Sequence, residues 1–149
     1  MASTSQRKLG RRQVRDLEIE IGFLEALLRR DPEQVEVLQI LGDDYSDAGR
    51  YADGLRVDQQ LVGLRPTDCN IRFNYACSLA LTGTLDRACE ELERAFDLGY
   101  RDVRWLKEDP DLAALRKHPA FRRIRERIRT LESEATGSVA GAEAGTPID

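Results

Sequence analysis

The chain has 149 residues, 41% hydrophobic and 34% charged, with a net charge of −4. That length suits one domain able to bury its own core, and the balance is that of a soluble protein leaning towards helix. The acidic excess argues against nonspecific nucleic-acid binding by the whole surface, and no stretch approaches the roughly 20 apolar residues of a membrane span.

Residues 1–13 are polar and basic without an apolar period, and are expected to fray. They have charge but no apolar run behind it, unlike a signal peptide, so a cytoplasmic location is expected. Helical spacing begins at Val14 and continues through Leu17, Ile21, Leu24 and Leu28 at three- and four-residue steps. Asp31-Pro32 ends it, because the residue before proline is pushed out of the α region. A second helix carries Val37, Leu38, Leu41 and Tyr45, and stops near Ala48-Gly49, where glycine can take a left-handed cap. A third carries Tyr51, Leu55, Leu61 and Leu64 and stops before Pro66. A fourth starts after Asp68, a suitable N-cap, and carries Ile71, Tyr75, Leu79 and Leu81 before Gly83. A fifth runs from about Leu85 through Ala88, Leu92, Ala95 and Phe96 to Gly99. The short connections predict antiparallel neighbours.

Residues 103–131 read as three shorter helices. The first turns Trp105 and Leu106 inward. Asp109-Pro110 and His118-Pro119 each read as a cap followed by proline at the first helical position. The expected apolar faces are Leu112/Leu115 and Phe121/Ile124/Ile128/Leu131. Residues 132–149, rich in Ala, Gly, Ser and Thr, are expected to form a disordered tail.

A fixed offset of 34 residues relates Pro32 to Pro66, Gly49 to Gly83, Leu41 to Tyr75, Gly42 to Ala76 and Tyr45 to Leu79. Helix pairs at this period mark a repeat architecture. Segment 35–68 carries Leu38, Leu41, Gly42, Tyr45, Gly49, Tyr51 and Pro66, and segment 69–102 carries Ala76, Gly83, Ala88 and Ala95. In this pattern the chain resembles the tetratricopeptide repeat family. The resemblance implies an all-α fold: a short right-handed superhelix of antiparallel helix pairs. It divides the expected domain, 14–131, into a partial repeat (14–34), two repeats (35–68 and 69–102) and a capping segment (103–131). Gly42 and Ala76 fall where paired helices approach closely. Asp58 stands where the family has a bulky apolar residue, and two readings are open: an ion pair with Arg72 on the next helix, or a solvated rim position.

Little points to chemistry. Cys69, Cys77 and Cys89 lack metal-ligand spacing and read as small apolar residues in a reducing compartment. His118, the lone histidine, reads as a cap. Asp43, Asp44 and Asp47 read as a solvated acidic face, short of the ligands a divalent ion needs. No phosphate-binding glycine loop is present. No catalytic residue, metal or cofactor is expected, and the chain is expected not to be an enzyme.

The resemblance implies a concave groove lined by the first helix of each repeat. Its residues here are Glu36, Gln39, Asp43 and Asp47 in one repeat, then Asn70, Phe73, Asn74, Cys77 and Leu81 in the next. Only Asn74 matches the clamp with which part of the family holds a terminal carboxylate, so carboxylate capture is not expected. An acidic groove of this kind prefers a basic or amphipathic protein segment. Charge is uneven along the chain: residues 31–68 hold nine acids against three arginines, and residues 114–132 hold seven basic residues against two acids. The leading expectation is a protein-binding adaptor. Head-to-tail self-association, or contact with RNA or another polyanion through the Arg-rich helix, are the alternatives.

Overall fold

The 34-residue offset reappears in the helix boundaries. The computed structural model describes residues 9–142. The first helices are α1 (Arg11–Arg30), α2 (Val35–Asp47), α3 (Tyr51–Leu64), α4 (Cys69–Leu81) and α5 (Leu85–Asp97). α4 and α5 begin 34 residues after α2 and α3. Each helix packs on the next in chain order, as antiparallel pairs. Among the described residues there is no strand.

The bends explain why the pattern repeats. Gly49, Gly83 and Gly99 all have positive φ, at 72°, 86° and 108°. At each, the glycine N–H reaches back three residues, to Ser46, Ala80 and Phe96. The residue after it reaches back five, so that Arg50 donates to Tyr45, Thr84 to Leu79 and Tyr100 to Ala95. This pair of hydrogen bonds satisfies carbonyls that a helix end leaves open, and it needs a left-handed backbone conformation that only glycine adopts cheaply. Gly83→Ala is therefore expected to lower stability by about 1–2 kcal/mol, although an added Cβ would meet nothing within 4 Å. Urea-unfolding midpoints check this: an unchanged midpoint would mean the bend carries no backbone strain. At the other end of α4, the Asp68 carboxylate accepts from the N–H groups of Asn70 and Ile71, the cap expected there.

Two apolar clusters follow from the packing. One joins α1, α2, α3 and the first turn of α4 around Ile21, Leu38, Leu41, Leu61 and Ile71. The larger joins α4 and α5 to the C-terminal elements around Ala76, Leu92, Phe96, Leu106 and Ile124. A Cβ at Gly42 would lie 3.4 Å from Asp58 Oδ1 and 3.5 Å from Val57 Cγ1, so α3 leaves room there for little more than a methyl group. Ala76, its counterpart in the next repeat, is fully buried.

The C-terminal segment closes the larger cluster. It comprises α6 (Arg104–Glu108), a 3-10 turn (Pro110–Leu112), α7 (Ala113–Lys117) and α8 (Phe121–Ala142). Leu106, Leu112, Leu115, Phe121, Ile124, Ile128 and Leu131 are all buried, and Trp105 is half-buried against them. The Asp109 carboxylate accepts from the Asp111 N–H, with Pro110 starting the turn. His118-Pro119 departs from expectation: α8 begins at Phe121, so Pro119 lies in the turn before it and not at the first helical position, and His118 closes α7 with its Nδ1 accepting from the Ala120 N–H at 3.2 Å.

Two boundaries differ from expectation. α1 begins at Arg11, inside the stretch 1–13 expected to fray, and residues 1–8 of that stretch lie outside the described residues. α8 continues to Ala142, through much of the stretch 132–149 expected to be a tail, of which residues 143–149 lie outside the described residues. A helix already nucleated by a packed stripe extends at one bond per residue without a new nucleus. Thr136 assists, its hydroxyl donating to the carbonyls of Glu132 and Ser133.

Candidate functional site

On α2, residues Glu36, Gln39, Asp43 and Asp47 recur at helical spacing and are all exposed. They share one face, as the groove reading requires. Loss of water around Asp43 raises its carboxyl above the usual range, and repulsion by Asp47 adds to this. Partial loss of water around its carboxyl raises Asp47 as well, although its side chain stays exposed. Among the described residues no Lys or Arg pairs with either acid.

α4 differs along its length. Asn70 is exposed, and Asn74, Cys77 and Leu81 are half-buried. Phe73 is only 3% exposed, because the Tyr100 ring stacks on it with centroids 4.0 Å apart and planes 9° from parallel. The turn Pro110–Leu112 also packs on α4. Phe73, expected to line the groove, is thus corrected to a core residue covered by the chain after α5. Helical spacing identifies the face of a residue but not what folds over it from further along the chain. Burial also pushes the Cys77 thiol far up and the Cys89 thiol up to about 11, so neither is poised as a nucleophile.

Neither reading of Asp58 holds: it does not pair with Arg72, and it is not solvated at the rim. Asp58 is buried and its Oδ2 accepts from the Ser78 hydroxyl on α4. Arg72 reaches the other way: Nη1 lies 2.9 Å from Glu91 Oε2 on α5, and Nε donates to the Pro66 carbonyl at 3.0 Å. Glu91 is 0% exposed and accepts from Arg94 Nη1 as well, at 2.5 Å. Glu91 is not among the residues that the sequence singles out, yet it carries a signal. With Ala88 and Ala95 it lies on the apolar stripe of α5, one turn from each. An acid on such a stripe calls for a cation, and Arg72 supplies it.

Asp44, expected on a solvated face, is instead only 8% exposed, and its Oδ2 has no hydrogen-bond partner. Burial, followed by repulsion from Glu20, Asp47 and Asp43, raises its carboxyl to about 6. The basic residues of α8 are largely engaged within the chain. Arg127 pairs with Asp97 at 2.5 Å, Arg123 with Glu93 at 3.5 Å and Arg122 with Glu126 at 3.6 Å. Arg125 donates to the Arg116 carbonyl at 3.2 Å. Among the described residues, no helix is long and apolar enough to cross a membrane.

No protein-family model matches the chain. It is similar to a chloroplastic protein from Arabidopsis thaliana, with 30% identity over 83 residues, covering 54% of this chain and 25% of that protein. The chain thus spans about a quarter of the length of the relative it matches.

Proposed function

We propose that this chain is a non-enzymatic adaptor of the tetratricopeptide type, which holds a basic or amphipathic protein segment along the face of α2 that continues onto α4. The observation that carries this reading is the exposed row Glu36, Gln39, Asp43 and Asp47, acidic and without a cation of its own among the described residues. Carboxylates that repel one another on a shared face gain from an incoming Lys or Arg. The helix pairs and their glycine bends support the repeat assignment, and the distant similarity to the Arabidopsis protein is compatible with it. Covering Phe73 shortens the groove on α4, so the usable contact is centred on α2 and on Asn70, Asn74, Cys77 and Leu81. A cytoplasmic setting is part of this proposal, supported by three free thiols. The relative's name places that protein in the chloroplast.

The test is capture of partners from a native lysate by the wild-type chain and by Asp43→Lys/Asp47→Lys. A partner lost on charge reversal supports the groove; one retained unchanged removes it. Intramolecular use of the α8 arginines favours this reading over contact with a polyanion. A heparin column checks the latter: the chain is expected to flow through at low salt.

A further inference from the structure

The two ends of the helical stack are finished differently. At the C-terminal end, α6 to α8 cover the last repeat. At the N-terminal end α1 is the outermost helix, and its residues sort into two opposite stripes. Leu17, Ile21, Leu24 and Leu28 pack towards α2. Asp16, Ile19, Phe23, Ala26 and Arg30 recur at alternating steps of three and four, about 200° around the helix from them. Ile19 and Phe23 are 63% and 62% exposed, and Asp16 and Arg30 are exposed as well. Among the described residues no second helix packs along α1 to the extent that α2 does.

The repeat identifies this side of α1 as a packing face. The residues 34 and 68 positions after Phe23 are Val57 on α3 and Glu91 on α5, and both are buried. Each meets the helix before its own: Val57 lies against Gly42 of α2, and Glu91 holds Arg72 of α4. No such helix precedes α1 among the described residues, so Phe23 is left open at a position that the other two repeats cover. A Cβ added at Gly22, beside it, would meet nothing within 4 Å. The stripe also carries opposite charges at its two ends. Among the described residues neither Asp16 nor Arg30 is in a salt bridge.

We propose that this face is covered by the same face of a second copy, the two α1 helices running antiparallel about a two-fold axis at Phe23. A two-fold contact needs a self-complementary surface, and the order acid, apolar, aromatic, apolar, base supplies one. Asp16 and Arg30 lie seven positions either side of Phe23, so Asp16 of each copy falls opposite Arg30 of the other. Between these pairs, Ile19 of each copy meets Ala26 of the other, and the Phe23 rings meet at the axis with Gly22 beside them for clearance. An axis near Ile21 would instead set Arg12 against Arg30, so charge selects the register. A head-to-tail contact has no comparable match, because Arg122, Arg123 and Arg127 of α8 are paired within the chain. The contact lies on the side of α1 away from α2 and leaves the acidic row of α2 open. One helix pair buries less than the roughly 800 Å² per partner of a stable dimer, so a reversible dimer is expected, half-formed on the order of 100 μM.

Sedimentation velocity of the full chain over a concentration series tests this. Wild type is expected to pass from monomer to dimer, and Phe23→Ser, Asp16→Arg and Arg30→Asp are each expected to weaken the dimer about tenfold or more. All three residues are exposed, so circular dichroism should show the variants folded. The charge variants then test each other. Asp16→Arg alone sets like charges together at both ends of the contact, and so does Arg30→Asp. An equimolar mixture of the two restores both opposite pairs and is expected to dimerise as wild type does. A wild type still monomeric at about ten times the expected midpoint overturns the proposal and leaves the face to a different protein. A dimer that survives Phe23→Ser, or a mixture that stays monomeric where wild type dimerises, overturns it too, because the contact then lies elsewhere or in another register.

Discussion

Arg72→Leu is expected to destabilise the fold by about 3–5 kcal/mol, among the largest effects of any single substitution in this chain. The reason lies with its partner. Glu91 is fully buried between α4 and α5, and Arg72 gives it a contact of 2.9 Å from a side chain itself only 17% exposed. Removing Arg72 leaves a buried carboxylate whose remaining partner, Arg94, is 54% exposed and largely solvated. Leaving an ion uncompensated costs more than the pair contributes, since both members were desolvated to make it. The double variant Arg72→Leu/Glu91→Leu removes both charges and is expected to recover most of the loss. Urea denaturation of wild type, both single variants and the double variant measures the coupling. If Arg72→Leu lies within about 1 kcal/mol of wild type, as an exposed pair would, the bridge is not structural.

This ion pair lies beyond what the sequence makes legible. The helices, their order and their ends are legible because each rests on a local rule. Gly49, Gly83 and Gly99 end helices through their own φ, and Asp68 and Asp109 cap through their own carboxylates. The repeat supplies the pairing, since a 34-residue period leaves few ways to cover each apolar stripe. Charge pairing obeys no such rule. Asp58 and Arg72 stand on consecutive helices, but Asp58 turns to Ser78 and Arg72 to Glu91, 19 residues on. A long arginine can reach several elements, and only its rotamer selects one.

The candidate site divides in the same way. The exposed row on α2 follows from spacing alone, because no other described element buries it. Phe73 does not, because Tyr100 returns after a whole further helix to stack on it. Asp44 is the subtler case. Its neighbours in sequence, Asp43 and Asp47, suggest a wet acidic face, but a helix turns about 100° per residue. Asp44 is thereby carried off that face and buried, with Glu20 of α1 near enough to repel its charge.

Buried acids on α2 and α3 also contribute to the pH dependence of stability, Asp58 more than Asp44. Its folded carboxyl rises from 3.8 to about 7, chiefly through burial; the Ser78 hydrogen bond opposes the rise and Asp43 adds to it. Below about pH 4 the carboxyl is protonated in folded and unfolded chains alike, and ionisation costs folding nothing. Between about pH 4 and 7 the unfolded chain ionises while the folded one keeps its proton, so unfolding releases a proton and stability falls as pH rises. Above about pH 7 both states ionise and the loss levels off, at no more than roughly 4 kcal/mol for Asp58. Asp44, raised to about 6, acts in the same direction over a narrower window. Asp58→Asn keeps an oxygen that can accept from Ser78 and removes the charge. Its melting temperature should therefore exceed that of wild type at pH 8 and differ little near pH 4. Thermal unfolding of both proteins across this range decides the matter. A wild-type chain that gains stability from pH 5 to 8, or an Asn variant less stable at pH 8, would mean that Asp58 is held ionised in the folded state.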